Sequence, residues 1–167
     1  MSELATLDTL TRLEKRVQRK KKLLDSHQKP VLSLTLNIPT SLNQRVWASQ
    51  LFNSALNALF GTVRALDAPI IEQQISTNHQ HEALFSIDIR SSTLLKKAMI
   101  QIEHNHPQGA LFNFDVMCRQ GKTISRRSSY MLPRPCLICD DTAQRCSTMK
   151  RHTPAQIEEA ILSLVEN

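Results

Sequence analysis

The chain has 167 residues, 41% apolar and 22% charged, and its 21 Lys and Arg against 15 Asp and Glu give a net charge of +6; that suits one soluble domain with a real core and is too short for two. No run reaches the ~20 apolar residues of a membrane span, and the N-terminus lacks a basic segment followed by an apolar one, so membrane and exported classes fall away and the cytoplasm is the expected compartment. With only three glycines there is no glycine-rich phosphate loop, which removes Walker and dinucleotide fingerprints.

Leu10, Leu13, Val17 and Leu24 recur at helical spacing, so residues 6–26 read as a helix with one apolar stripe and a basic back, within a basic segment 6–29 on the domain surface. The alternating run 31–38, stopped by Pro39, reads as a strand. Ser41 and Gln44 form a capping-box pattern ahead of a long core-facing helix carrying Val46, Trp47, Leu51, Leu56, Leu59, Phe60 and Val63. Runs 70–75 and 83–89, joined by the polar stretch Thr77, Asn78, His79, Gln80 and His81, predict a hairpin. Ser91, Ser92 and Thr93 offer caps for a helix with Leu94, Leu95, Ala98, Met99 and Ile102, ending near Pro107 and Gly109. A second hairpin pairs 111–118 with 122–126 and turns at Gly121. Residues 128–152 form a Cys-rich loop, and Thr153-Pro154 with Ile157, Ala160, Ile161 and Val165 open a last helix, 153–167.

The expectation is therefore a single α+β domain, 1–167, whose core 30–127 has an antiparallel sheet with helices on one face. Its β-α-β-β-α-β order is that of the ferredoxin-like split β-α-β arrangement. The charge is uneven along it. Residues 12–29 carry eight basic against two acidic side chains, residues 118–152 again eight against two, and the stretch between is slightly acidic. Such a field attracts nucleic acid, a polyphosphate or an acidic protein. Aromatics at 4% supply few stacking platforms, which weighs against nucleic acid. The plain reading of Arg19-Lys20-Lys21-Lys22 is a solvated helix face.

Four constellations can carry chemistry. On the fourth strand, Phe112, Phe114 and Val116 point one way and Asn113 and Asp115 the other. An acid-x-acid pair so placed holds Mg²⁺ in nucleotidyl transfer; here the first member is an amide, and a solvent-facing strand is the plainer alternative. Glu103, His104 and His106 crowd one helix end and suit acid–base work or simple capping of the helix dipole. Arg126 and Arg127 end the next strand, where their guanidinium forks would lie near Asp115 and match phosphate oxygens, or sit as a surface pair. Cys136-x2-Cys139-x6-Cys146-x5-His152 supplies four ligands for a closed tetrahedral zinc site, the alternative being reduced, buried thiols.

Taken in order, residues 102–109, 111–116, 124–127 and 133–139 with Cys146 and His152 resemble the citrate lyase holo-acyl-carrier-protein synthases, also called apo-citrate lyase phosphoribosyl-dephospho-CoA transferases. Thinner matches upstream include Thr11, Arg12, Glu14, Arg16 and Gln18, then 30–35 and 63–66. The resemblance implies that a serine hydroxyl on the lyase's acyl-carrier (gamma) subunit attacks the α-phosphate of triphosphoribosyl-dephospho-CoA and releases diphosphate. It implies Mg²⁺ at Asp115 and Asn113, acid–base help from His104 and His106, and phosphate contacts from Arg126, Arg127, Arg134 and Arg16. Where the family reads Gly-Arg followed by Asp-x-Asp, this chain has Gly109-Ala110 and Asn113-Phe114-Asp115. Two other readings compete: a zinc-stabilised nucleic-acid-binding module, and a catalytically weakened homologue that binds the carrier without modifying it.

Overall fold

The computed structural model describes residues 2–78 and 80–166; His79 of the expected hairpin linker, and Met1 and Asn167 at the ends of the expected domain, lie outside the described residues. In chain order the elements are α1 (Ser2–His27), β1 (Val31–Leu36), α2 (Val46–Ala65), β2 (Ile70–Ser76), β3 (Glu82–Ile87), α3 (Ser92–Asn105), β4 (Phe112–Met117), β5 (Thr123–Ile124), α4 (Ala143–Thr148) and α5 (Pro154–Val165). The strands make one open sheet in the order β2-β3-β1-β4-β5, and every neighbouring pair is antiparallel.

Alternation decides what each sheet face does. Leu32 pairs with Phe85 and Val116, and Leu34 with Ala83 and Phe114, so these side chains share one face. That face is covered by Leu51, Phe52, Ala55 and Leu59 of α2, Leu95, Met99 and Ile102 of α3, and Ile161 of α5, giving one continuous core. The other face carries Ser33, Thr35, Glu82, Ser86, Asn113 and Asp115, with Val31 and Met117 in the row of Ser86 and Leu84 beside Ser33.

The expected placement of all helices on one face is corrected by α1, which lies across this second, polar face. Leu23 joins Val31 and Leu84 in a small separate cluster, with Leu24 and Met117 packed against it. The helix is also turned against its own periodicity. Leu10, Leu13 and Val17 are 50%, 46% and 49% exposed, while Arg16 and Lys20 are half-buried towards the sheet. A polar sheet face explains the inversion, because it offers partners that an apolar stripe cannot use. Arg16 Nε donates to Glu82 Oε2 at 2.7 Å, Arg19 pairs with the other oxygen of Glu82, and His27 Nε2 meets Glu72 Oε1 at 2.8 Å. The basic back of α1 is thus partly an inner face, not a solvated one.

Several boundaries differ from expectation for local reasons. The capping box at Ser41 and Gln44 does not form; Thr40–Leu42 make a short 3-10 turn and α2 starts at Val46 after an extended Arg45. By contrast, the Ser91 side chain does cap α3, accepting from the Leu94 N–H, and Thr153 with Gln156 forms a full capping box on α5. The Cys-rich loop contains a helical turn, α4, capped by Thr142. The fifth strand shrinks from the expected 122–126 to two residues, which releases Arg126 from the sheet. Gly109 is required at the exit of α3: a Cβ there would sit 2.4 Å from the carbonyl oxygens of Ile102 and Glu103.

Candidate functional site

Asn113 and Asp115 share the polar sheet face as their spacing predicts, both half-buried. They stand opposite Thr35 and Ser33 of β1. The Asn113 amide nitrogen donates to Thr35 Oγ1 at 3.1 Å and to Asp115 Oδ2 at 3.3 Å, so the two oxygen-bearing side chains form one unit. Above them lies the inward side of α1. Burial holds the Lys20 pKa below its ordinary 10.5, opposed by attraction to Asp115, reinforced by repulsion from Arg16 and opposed again by Glu82. Lys20, Arg16, Glu82 and Asp115 are therefore close enough to feel one another beneath α1.

The arginines expected near Asp115 go elsewhere. Because β5 pairs only with Val116 and Met117, the outer edge of β4 before them has no neighbouring strand, and side chains satisfy it instead. Glu103, with a side chain only 2% exposed, accepts from the Phe114 N–H at 3.0 Å, from Arg126 Nη2 at 2.7 Å and from Arg134 Nη2 at 2.8 Å. Arg134 also donates to the carbonyls of Phe112 at 2.9 Å and Ala110 at 3.2 Å. Lys96 Nζ closes the edge on Phe114 O at 2.8 Å, and burial lowers its pKa against the pull of Glu103 and Asp115. Arg126 thus closes on Glu103 and not on Asp115, and Arg127 is exposed.

The histidine group is dispersed in the same way. His104 is exposed in the last turn of α3. The His106 ring packs on Phe112, on the core side of β4, with centroids 4.9 Å apart, and its Nδ1 accepts the Gln108 N–H at 3.0 Å. Burial lowers its pKa. Neither shares the sheet face of Asp115.

Sequence reading missed Lys96, Lys20, Arg12 and His81. Lys96 had a usable signal: it lies three, four and seven residues before Met99, Ile100 and Glu103, on their buried face. His81 had none, since a linker position does not announce burial; it is 7% exposed, its ring tilted at 50° to that of Phe52 with centroids 5.3 Å apart, and it is bonded through Nε2 to Ser49 Oγ at 3.1 Å. His81 and Arg12 line a cleft of about 220 Å³ with Arg16, Thr35 and Asn43, where β1 ends and the β2–β3 hairpin turns.

The cysteine spacing does assemble a cluster. One ligand atom from each of Cys136, Cys139, Cys146 and His152 lies within 4.8 Å of all the others. Cys139 and Cys146 sulfurs are 3.4 Å apart, and the Ile138 N–H points at Cys136 Sγ at 3.4 Å. At Cys136, burial raises the pKa but is outweighed by the Ile138 and Cys139 amides and the neighbouring thiols, which bring it down to about 6. Burial pushes Cys146 up to about 12, with the same thiols adding to the rise. His152 Nε2 is buried with no hydrogen-bond partner.

The sequence matches the family described as apo-citrate lyase phosphoribosyl-dephospho-CoA transferase over residues 5–167. The chain belongs to that family. It is 30% identical over 158 residues to the probable apo-citrate lyase phosphoribosyl-dephospho-CoA transferase of Vibrio cholerae serotype O1, covering 94% of this chain and 86% of that protein. It is 31% identical over 146 residues to the Escherichia coli O7:K1 transferase of the same name, covering 87% and 79%. The Citrobacter koseri protein is 28% identical over the same shares. The family is one of transferases, and the four cysteine-cluster residues and the Asn113–Asp115 strand all fall within the matched span.

Proposed function

We propose that the protein transfers the prosthetic group of triphosphoribosyl-dephospho-CoA to a serine on the acyl-carrier subunit of citrate lyase and releases diphosphate. The observation that carries this reading is the placement of Asp115 and Asn113 beneath the basic inner side of α1, within a chain that matches the transferase family almost throughout. In the step envisaged, the seryl oxygen forms a bond to the α-phosphorus, the bond from that phosphorus to the diphosphate oxygen breaks, and the hydroxyl proton passes to solvent. Arg16 and Lys20 supply positive charge over the strand, where negative charge grows on the departing diphosphate. Arg126 and Arg134 act at one remove: through Glu103 they hold the edge of β4, and so the position of Asp115.

One carboxylate beside one amide oxygen on a half-open face fits Mg²⁺, which takes few protein ligands and fills its sphere with water and phosphate. Asp115, with Asn113 at its side, would hold it, and when bound it supplies charge neutralisation at the phosphates. The Cys136, Cys139, Cys146 and His152 set fits zinc on two counts, the mutual spacing of its donor atoms and the unpartnered buried Nε2 of His152. We read it as structural. The ferredoxin-like reading of the core, as part of a single domain, is supported by the neighbour order β4-β1-β3-β2. Among the described residues no helix is long and apolar enough to cross a membrane, in keeping with a cytoplasmic enzyme. The nucleic-acid alternative is weakened by the shortage of stacking side chains, aromatics being 4% of the chain.

A second reading, a carrier-binding homologue of low activity, draws on Asn113: its amide donates to Asp115 where the family has a second carboxylate. The deciding experiment incubates the protein with Mg²⁺, the donor and the apo acyl-carrier subunit, and measures the carrier's intact mass. A mass increase equal to the donor less diphosphate is expected. An unchanged carrier at stoichiometric enzyme overturns the transfer reading.

A further inference from the structure

A pocket of about 530 Å³ lies where four distant stretches of chain meet: the turn after β1, the turn before β4, the Cys-rich segment and α5. Ile38, Leu137, Ile138, Ile157 and Pro154 form its walls. Each of them keeps solvent-accessible surface, and Ile138 is 40% exposed, so the apolar lining is open to a ligand and not packed away. The walls are held before any ligand arrives. Asn37 extends the β1–β4 pairing by donating its N–H to Leu111 O at 2.7 Å, and its side-chain nitrogen donates to Ala110 O at 3.1 Å. A β-bridge between Pro135 and Thr142 ties down the Cys-rich side, and the capping box at Thr153 fixes the start of α5. Cys136 and His152 stand along the same side, so closure of the cysteine cluster also shapes the pocket. Preformed, mostly apolar and of this volume, it has the character of a small-molecule site.

The lining selects a class of ligand. Among the described residues that form it there is no Phe, Tyr or Trp, so a nucleobase finds no aromatic platform on which to stack. An aliphatic chain does find walls for its methylene and methyl groups. Polar groups are few, and Asn37, Ser147 and Lys150 are all exposed. An amide and a hydroxyl suit the N–H and C=O groups of an amide-bearing chain, and the Lys150 ammonium suits a phosphate at its end. The position of the pocket matters as much as its lining. Ile38 also lines the 220 Å³ cleft on the side of Thr35, whose hydroxyl accepts from Asn113. The pocket therefore adjoins, at the ends of β1 and β4, the strand on which transfer is placed.

We propose that this pocket holds the pantetheine arm of the donor, with the adjoining diphosphate at Lys150, while the triphosphate end reaches past the strand ends towards Asp115. Binding of this unreacting arm fixes the position of the phosphorus under attack. The class of ligand, an uncharged amide-bearing chain that ends in phosphate, follows from the walls and the exposed polar groups; its identity as the donor rests on the transfer reading above.

The test uses the full-length protein under reducing conditions and titration calorimetry with dephospho-CoA, pantetheine and AMP. Dephospho-CoA and pantetheine should bind, and AMP should bind weaker than dephospho-CoA by about tenfold or more. Ile138→Asn should weaken both pantetheine-bearing probes by about tenfold. Lys150→Gln should weaken dephospho-CoA alone. Leu94→Asn, which removes an exposed leucine from the start of α3, should change neither. Thermal unfolding within a few degrees of the parent and parent-like metal content qualify each variant, and if Ile138→Asn fails, Ile157→Gln takes its place. Parent-like affinity for both probes in this wall variant, an equal loss in Leu94→Asn, or AMP binding as tightly as dephospho-CoA overturns the assignment. The expected pattern with an unchanged carrier mass upholds the pocket and counts against the transfer reading only. Transfer to the carrier, with parent-like probe affinity in the wall variant, overturns the pocket and leaves the transfer reading standing.

Discussion

Asn113 shows how one atom can alter a site without altering the fold. It presents an amide, not a second carboxylate, whose nitrogen bonds both Thr35 and Asp115. Asp115 is then the only charged oxygen of the pair. Asp115→Ala should abolish transfer, and Asn113→Asp should raise the rate or lower the Mg²⁺ requirement, because this hard cation prefers a charged oxygen. Both are measured by carrier mass against time, after confirming unchanged unfolding, since two adjacent carboxylates without metal repel each other. Equal activity in Asp115→Ala and the parent would remove the strand from the mechanism. His81 gives a pH-dependent expectation. Burial lowers its pKa below the ordinary 6.5, so as pH falls the unfolded chain takes up this proton first and the folded state is disfavoured. That stability is present above pH 6.5 and lost as pH falls below it. His106, lowered by burial too, acts in the same direction. The fall in melting temperature from pH 7 to pH 5 should be shallower in His81→Gln than in the parent, with His106 among the groups that supply the remainder. Parallel falls would show that His81 titrates alike in both states.

At the scale of elements, α1 and the β4 edge carry the main departures from sequence reading. The periodicity of α1 is genuine, yet the side it marks is the outer one, since the face it meets offers Glu82, Glu72 and Asp115 rather than a hydrophobic floor. The orientation makes a sharp stability expectation. Leu10→Ser and Val17→Ser should each change stability by about 0.5 kcal/mol or less, as for exposed positions. Leu23→Ala, in the cluster with Val31 and Leu84, should cost about 2–5 kcal/mol. Urea unfolding of the three variants checks this, and the reverse order would mean the helix is turned the other way. The β4 edge shows a related lesson. A five-residue partner strand in the same register would have reached Phe114; a two-residue β5 leaves Phe112 and Phe114 to Arg134, Glu103 and Lys96. Arg126 and Arg134, attractive as phosphate ligands in sequence, are consumed by this repair.

For the whole molecule, the Cys-rich segment is the part least supported by apolar packing, as only Cys146 and Ser129 are buried between residues 128 and 152. A metal bound by four close donors would supply the missing order. Anaerobically purified protein should carry about one zinc per chain, and a strong chelator should release it with a fall in melting temperature. Cys136→Ser should abolish retention. Less than a tenth of an equivalent of any transition metal, with all four thiols freely titratable, would end the zinc reading. What the sequence by itself determined is what depends on local periodicity and short-range chemistry: the strand and helix order, the facing of Phe112, Phe114 and Val116 away from Asn113 and Asp115, the caps at Ser91 and Thr153, and the ligand spacing from Cys136 to His152. These follow because alternation, capping and loop closure act over a few residues. Tertiary structure alone decided which side of α1 turns inward, that Glu103 gathers Arg126 and Arg134, and that His81 is buried beside a basic cleft. Each of these depends on the partner brought by a distant segment, and a side chain's local pattern carries no record of which charges will stand opposite it.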